Sequence, residues 1–331
     1  MFLRIYKTNQ TYLILLIPIT AILLWLTGFI NCNFDHFTAN KSVIMPLYAL
    51  FDSLINYNCY VSLITAVILA LAQGFYLSNL NKNFIFIKQR SYLHSFIFLL
   101  IISSNVLTRF ATPAIFANFF ILFSINWLFH SYKKIRPNIE LFNSGLFLSI
   151  AGLFYLNALL LLPLLLIAYV VLHSIKFKEV LVIISGFITP LILSAGILFI
   201  NNKLFIYTES IWNYITTTNY NFNNSIFNYI FYGWLVLLLF IAILSFSNNF
   251  GTKKISSRKF LSVFLYLTLY NIGIYFLLPF SNMEMMIITA APISLLITDF
   301  YININSKFWS EFSFAVLIIS FVLLQIYTQS I

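Results

Sequence analysis

The sequence predicts an all-α, polytopic transmembrane protein of about eleven helices, with its amino terminus in the cytoplasm. Three observations predict it. Hydrophobic residues make up 61% of the chain and charged residues only 8%; apolar runs of about 20 residues recur from end to end; and Lys and Arg gather in alternate connectors between those runs. A run of that length crosses a hydrocarbon core about 30 Å thick, and inside such a core a helix satisfies its own backbone polar groups.

The runs are Tyr12–Ile30, Cys59–Leu77, Tyr92–Leu107, Ala111–Phe129, Phe142–Tyr155, Asn157–His173, Val180–Ile200, Ile226–Phe246, Phe260–Phe280, Met285–Tyr301 and Trp309–Tyr327. Tyr12–Ile30 is too long for the apolar region of a signal peptide and has no small-residue cleavage site after it, so it reads as a retained first helix. Threading the chain with its amino terminus inside places Arg4, Lys7, Lys82, Lys88, Arg90, Lys133, Lys134, Arg136, Lys176, Lys178, Lys253, Lys254, Arg258, Lys259 and Lys307 on the cytoplasmic side. Lys41, Arg109 and Lys203 fall outside. Fifteen against three is the asymmetry that orients multi-pass proteins, and it tests the span count too, because one missed helix would invert every later loop. The net charge of +10 therefore reads as membrane orientation. Basic residues scattered over connectors do not form the single basic face that nucleic acid requires.

Two units follow. Residues 1–200 form a transmembrane module with an external loop, 31–58; residues 201–331 hold a second external loop, 201–225, and four further transmembrane helices. In the first loop Leu47, Leu50, Phe51, Leu54 and Ile55 follow helical spacing while Asp52 and Ser53 face away, which predicts a helix lying in the interface. Cys32 and Cys59 bracket that loop. A disulfide would close it in an oxidising periplasm, whereas free cysteines are also at home in apolar helices, and the sequence leaves both alternatives open. The second loop, rich in Asn, Thr, Tyr and Trp, suits the headgroup layer.

The residues that could carry chemistry are few. There is no Gly-rich phosphate loop, no paired-cysteine metal motif and no heptad array. His36, His94, His130 and His173 fall at different depths and no two share an i, i+4 face, so they predict no metal site. On the outer side the acids are Asp35, Asp52, Glu209 and Glu284, and the cations are Lys41, Arg109 and Lys203. An enzyme acting on a lipid-linked phosphate needs a carboxylate as base or metal ligand and a cation to neutralise phosphate, and this face has both. Taken singly, each reads as a loop charge solvated at the interface. Arg109 differs, because Leu107, Phe110 and Ala111 offer it little water, and a charge in such surroundings usually has a task. Asp299, near the inner end of its helix, is expected to meet water or Lys307.

Phe142-Asn-Ser-Gly-Leu-Phe-Leu-Ser-Ile-Ala-Gly-Leu-Phe-Tyr155, followed by Leu159-Leu-Leu-Leu-Pro-Leu-Leu165, resembles the Gly-x-x-x-Gly-Leu-Ala hairpin and Leu/Pro-rich helix of the fold-C (GT-C) glycosyltransferases. The acid-bearing first loop adds to the likeness, which covers residues 1–200. The resemblance implies transfer of a polyprenyl-phosphate-linked sugar at the periplasmic face, with Asp35 catalytic, Arg109 and Lys203 binding substrate phosphate, and a divalent metal as an optional cofactor. Asp35 lacks the acidic neighbour usual in that family. The whole chain is more closely similar to an uncharacterised family of polytopic inner-membrane proteins of Bacteroidota. The likeness runs through Leu3-Arg4, Met45-Pro-Leu-Tyr48, Thr112-Pro113 with Asn118, Leu141-Phe-Asn-Ser-Gly145, Phe177-Lys-Glu179 and Thr189-Pro190. That second resemblance implies a multi-pass protein of the bacterial inner membrane. It leaves a non-catalytic envelope or secretion-assembly component, in contact with membrane lipids and a membrane-protein partner, as the alternative to the transferase.

Overall fold

A computed structural model describes Leu3, Tyr6 and Lys7 and residues 12–32, 45–55, 57–89, 91–216, 226–278, 283–304 and 306–329. Among these residues the chain forms thirteen α-helices and three short 3-10 turns, with no strand. Eight helices are long and apolar enough to cross a membrane. They are α1 (Tyr12–Ile30), α3 (Cys59–Phe84), α5 (Pro113–Ser131), α8 (Phe177–Ile200), α10 (Ile226–Asn248), α11 (Ile255–Leu277), α12 (Met285–Asn303) and α13 (Lys307–Gln329). Shorter helices are α2 (Pro46–Ile55), α4 (Leu93–Ser103), α6 (Asn138–Phe154), α7 (Leu162–Leu172) and α9 (Leu204–Thr216).

Local chemistry sets several boundaries. Asn58, in extended backbone, accepts the Tyr60 N–H at 3.0 Å and starts α3. The helix ends where Ile85 adopts a left-handed φ of 47° and donates its N–H to Asn81 O. The run expected to span Tyr92–Leu107 is helical only from Leu93 to Ser103. Beyond it the Ser104 hydroxyl bonds back to Ile101 O at 2.7 Å and Asn105 Oδ1 takes the Leu107 N–H at 2.9 Å, so short polar side chains turn the chain out of the helix. Pro113 then opens α5, where its missing N–H costs nothing. The predicted run Asn157–His173 divides into a 3-10 turn, Leu156–Leu161, and α7, whose first turn holds Pro163.

Three helices, α5, α6 and α8, form one tight layer around a close α6–α8 crossing. A Cβ on Gly145 would strike the main chain of Ile183 and Phe187, and one on Gly186 would strike the Phe142 carbonyl. Small residues at both positions let the two backbones touch. On the other side of α6, Phe154 stacks on Phe116 and Phe120 with ring centroids 5.7 and 5.3 Å away. Among the eight long helices α12 is the most enclosed, buried along most of its length against α4, α10 and α11.

The two ends of the bundle differ. The basic connectors meet at one end, where Lys259 Nζ donates to Leu172 O at 2.9 Å and Ser257 Oγ to Ile85 O at 2.7 Å. Asp299 is held there by Lys253, not by Lys307, because α10 and α12 pack side by side and bring the connector after α10 to it. At the opposite end Cys32 and Cys59 are joined by a disulfide, with their Cα atoms 6.1 Å apart, which settles the alternative the sequence left open. The loop helix α2 is separate from α3. Leu47 and Ile55 pack on the core, Leu50 and Leu54 are exposed, and Asp52 is half-buried.

Candidate functional site

The disulfide end holds the two buried ionisable groups that stand out. Arg109 closes the 3-10 turn Leu107–Arg109 between α4 and α5 and is only 3% exposed. Its Nε donates to Ser103 O at 2.8 Å and its Nη1 to Thr27 Oγ1 on α1 at 2.8 Å. The Thr27 hydroxyl in turn bonds Gln325 Oε1 on α13, and Gln325 Nε2 returns to Ser103 O at 3.1 Å. One side chain thus ties α1, α4 and α13 into a closed ring of hydrogen bonds.

The backbone around the arginine is held with equal care. Trp25 Nε1 donates to Arg109 O at 3.0 Å, Tyr48 from α2 donates to Ala111 O at 2.8 Å, and Ser62 Oγ on α3 accepts the Ala111 N–H at 3.0 Å. Without these partners the irregular turn would leave buried peptide groups unpaired, at about 1–3 kcal/mol each. Burial pulls the guanidinium down to about 10, which still leaves it charged at neutral pH. None of its hydrogen bonds goes to a carboxylate, and Nη2 has no partner. Tyr232 on α10 lies close enough for electrostatic contact with it, its hydroxyl 3.4 Å from Ser104 Oγ.

Glu284 caps the start of α12 and is 7% exposed. Its Oε2 has no hydrogen-bond partner, and burial pushes its carboxyl up to about 8. Tyr155 at the end of α6 and Tyr214 on α9 are near enough to sense its charge. Asn157 Nδ2 donates to the Tyr155 hydroxyl at 3.0 Å, while Asn157 Oδ1 is buried and unpartnered. The corner therefore holds a carboxyl oxygen and an amide oxygen that both lack a donor, beside two phenols. A carboxyl titrating near neutrality can take or give a proton at physiological pH, which is the property acid–base chemistry asks for.

The other sequence candidates are dispersed. Lys203 precedes α9 and Glu209 lies on it, both exposed; Asp52 is half-buried on α2; and none of the three is among the hydrogen-bond partners of Arg109. Asp35 and Lys41 lie outside the described residues. Among the described residues no three His, Cys, Asp or Glu side chains converge. Thr27, Gln325, Tyr155, Asn157 and Tyr214 were not singled out as site residues by the sequence. Gln325 carried a weak signal, as a lone amide in an apolar run.

Fold and site together define an all-helical, membrane-type protein with a buried polar network at one end of its bundle. Residues 43–330 match a family of unknown function, DUF6427, and the chain belongs to that family. No curated protein and no solved structure matches it.

Proposed function

We propose that this chain is a multi-pass protein of the bacterial inner membrane that serves as a non-catalytic component of the cell envelope. In this reading it has eleven spans, the eight long helices together with α4, α6 and the unit of 3-10 turn and α7. Its amino terminus is cytoplasmic and its carboxyl terminus external. The gathering of basic connectors at one end of the bundle supports that orientation. The role rests on Arg109. Arg109, one of the two cations that the transferase resemblance assigns to phosphate, is sealed among α1, α4 and α13 and donates to a backbone carbonyl and a threonine.

Glu284 favours a second reading, a GT-C-like transferase of polyprenyl-phosphate-linked sugars at the periplasmic face. A buried carboxyl without a hydrogen-bond partner on Oε2 is costly, and inside a membrane protein such a group marks function by default. Complementation of a deletion strain separates the two. The component reading expects Asp35→Asn and Glu284→Gln to restore growth and envelope integrity fully at normal protein levels. Loss of function by either variant, with the protein present and folded, would replace it by the transferase.

A further inference from the structure

At the basic end a cavity of about 170 Å³ opens between the start of α1, the last turns of α3 and the connector into α4. That is several times the roughly 30 Å³ share of one liquid water, room for a phosphate group and part of what it is esterified to. One wall is apolar, from Ile14 and Phe75; the other carries Asn79, Lys82, Ser91 and Tyr92. Among the described residues no carboxylate lines it. Two further polar residues at its edge are already engaged. Ser78 Oγ bonds Ser95 Oγ at 2.8 Å and His94 Nε2 at 3.1 Å, and Asn81 Oδ1 accepts the Ile87 N–H at 2.9 Å.

What remains is a set of donors without an acceptor. Ser91 is 5% exposed and its hydroxyl has no partner, although it lines the cavity. The exposed Lys82 forms no ion pair among the described residues. An ammonium, a buried hydroxyl, an amide and a phenol without a carboxylate form a surface complementary to an anion. The apolar wall says what kind. Ile14 is 47% exposed, and Leu15 and Ile19 on the same helix are 72% and 57% exposed, so the cavity opens beside a helix face suited to acyl chains. Tyr92 stands at the rim, where aromatic side chains sit at headgroup level. Lys88 is in the same connector, and Lys7 is brought to it by a hydrogen bond from Gln89 Nε2 to Lys7 O at 3.1 Å. Lys88 adds to the attraction for an anionic leaflet, while Lys7 also feels the charge of Glu311.

We propose that this cavity is a phosphate-ester site filled by an anionic phospholipid of the leaflet at the basic end. Lys82 neutralises the phosphate, Ser91, Asn79 and Tyr92 donate to its oxygens, and the chains run along α1. The site is separate from Arg109 and Glu284 and independent of either functional reading. The test is thermal unfolding of the full-length protein, purified in detergent and stripped of lipid, titrated in parallel with short-chain phosphatidylglycerol, the matching diacylglycerol and inorganic phosphate. Phosphatidylglycerol is expected to raise Tm in a saturable way while diacylglycerol does not. Lys82→Gln and Ser91→Ala should each weaken that effect about tenfold and leave the lipid-free Tm unchanged. If inorganic phosphate protects as well as the lipid, the phosphate chemistry stands and the lipid source is overturned. Equal protection by diacylglycerol, no protection by either phosphate compound, or unweakened binding by both variants overturns the site.

Discussion

Arg109 and Glu284 lie at the same end of the bundle and are buried to almost the same degree, 3% and 7% exposed, yet their surroundings treat them in opposite ways. The arginine is given a carbonyl, a hydroxyl and, through them, a glutamine from the far end of the chain. The glutamate has an Oε2 with no donor and, nearby, an amide oxygen in the same state. A buried charge with fixed partners stiffens a fold. A buried carboxyl oxygen without a donor weakens it. The contrast separates a cation tied into the fold from an acid whose Oε2 has no donor within one polar region, and composition alone could not have drawn that line.

The largest effect should come from Arg109→Ala. Truncation breaks the bonds to Ser103 O and Thr27 and leaves a void beside Gly28, whose Cβ position faces the arginine side chain. We expect about 3–5 kcal/mol of destabilisation in detergent, read as a fall in Tm and in membrane yield. Arg109→Lys should recover part of it, since one ammonium cannot replace a planar fork that reaches two acceptors in fixed directions. If Arg109→Ala is stable and only function suffers, the arginine belongs with the glutamate and the contrast fails.

A smaller loss, about 1–3 kcal/mol, is expected from Thr27→Val. The substitution keeps the shape but removes both the acceptor for Arg109 Nη1 and the donor to Gln325, so the ring opens at its central atom. Combining it with Gln325→Leu should cost less than the sum of the two single changes, because both break the same ring. Strict additivity in a double-mutant cycle would show that the ring is not a unit.

Much of the fold was legible because a bilayer leaves a chain few choices: apolar runs had to be helices, and basic connectors had to alternate. The separate helix in the first loop was legible from the spacing of Leu47 to Ile55. The span drawn as Tyr92–Leu107 came out too long, since hydropathy averages over Ser103, Ser104 and Asn105, whose side chains bond to the backbone and end the helix. Arg109 was legible as an anomaly, but its partners were not. Thr27 is 82 residues away from it, and Gln325 is 222 residues from the carbonyl it shares, so only the packed bundle brings them together. Asp299 found Lys253, not Lys307, for the same reason: the packing of α10 against α12 brings the connector after α10 to it. Glu284 was visible as an outer acid, but its burial was not, because the residues that enclose it come from distant helices.

Glu284→Gln should have an effect of the opposite sign. The carboxyl is held at about 8 by burial, above the ordinary carboxylate range, so the folded state binds this proton more tightly than the unfolded chain does. Its contribution is therefore fully present below the ordinary range and is lost as pH rises through 8. The wild-type protein should lose stability from about pH 5 to pH 8.5, before the ordinary tyrosine range near 10 begins. Gln keeps the shape without a titrating proton, so the variant should be flatter over that range and more stable at pH 8, by roughly 1–3 kcal/mol. A variant less stable than wild type at pH 8, or a wild-type profile without the decline, would mean that the carboxylate has found a partner and that the two buried groups are alike after all. If Gln stabilises and the cell nonetheless fails with it, the acid is kept at the expense of stability, the signature of a group retained for what it does.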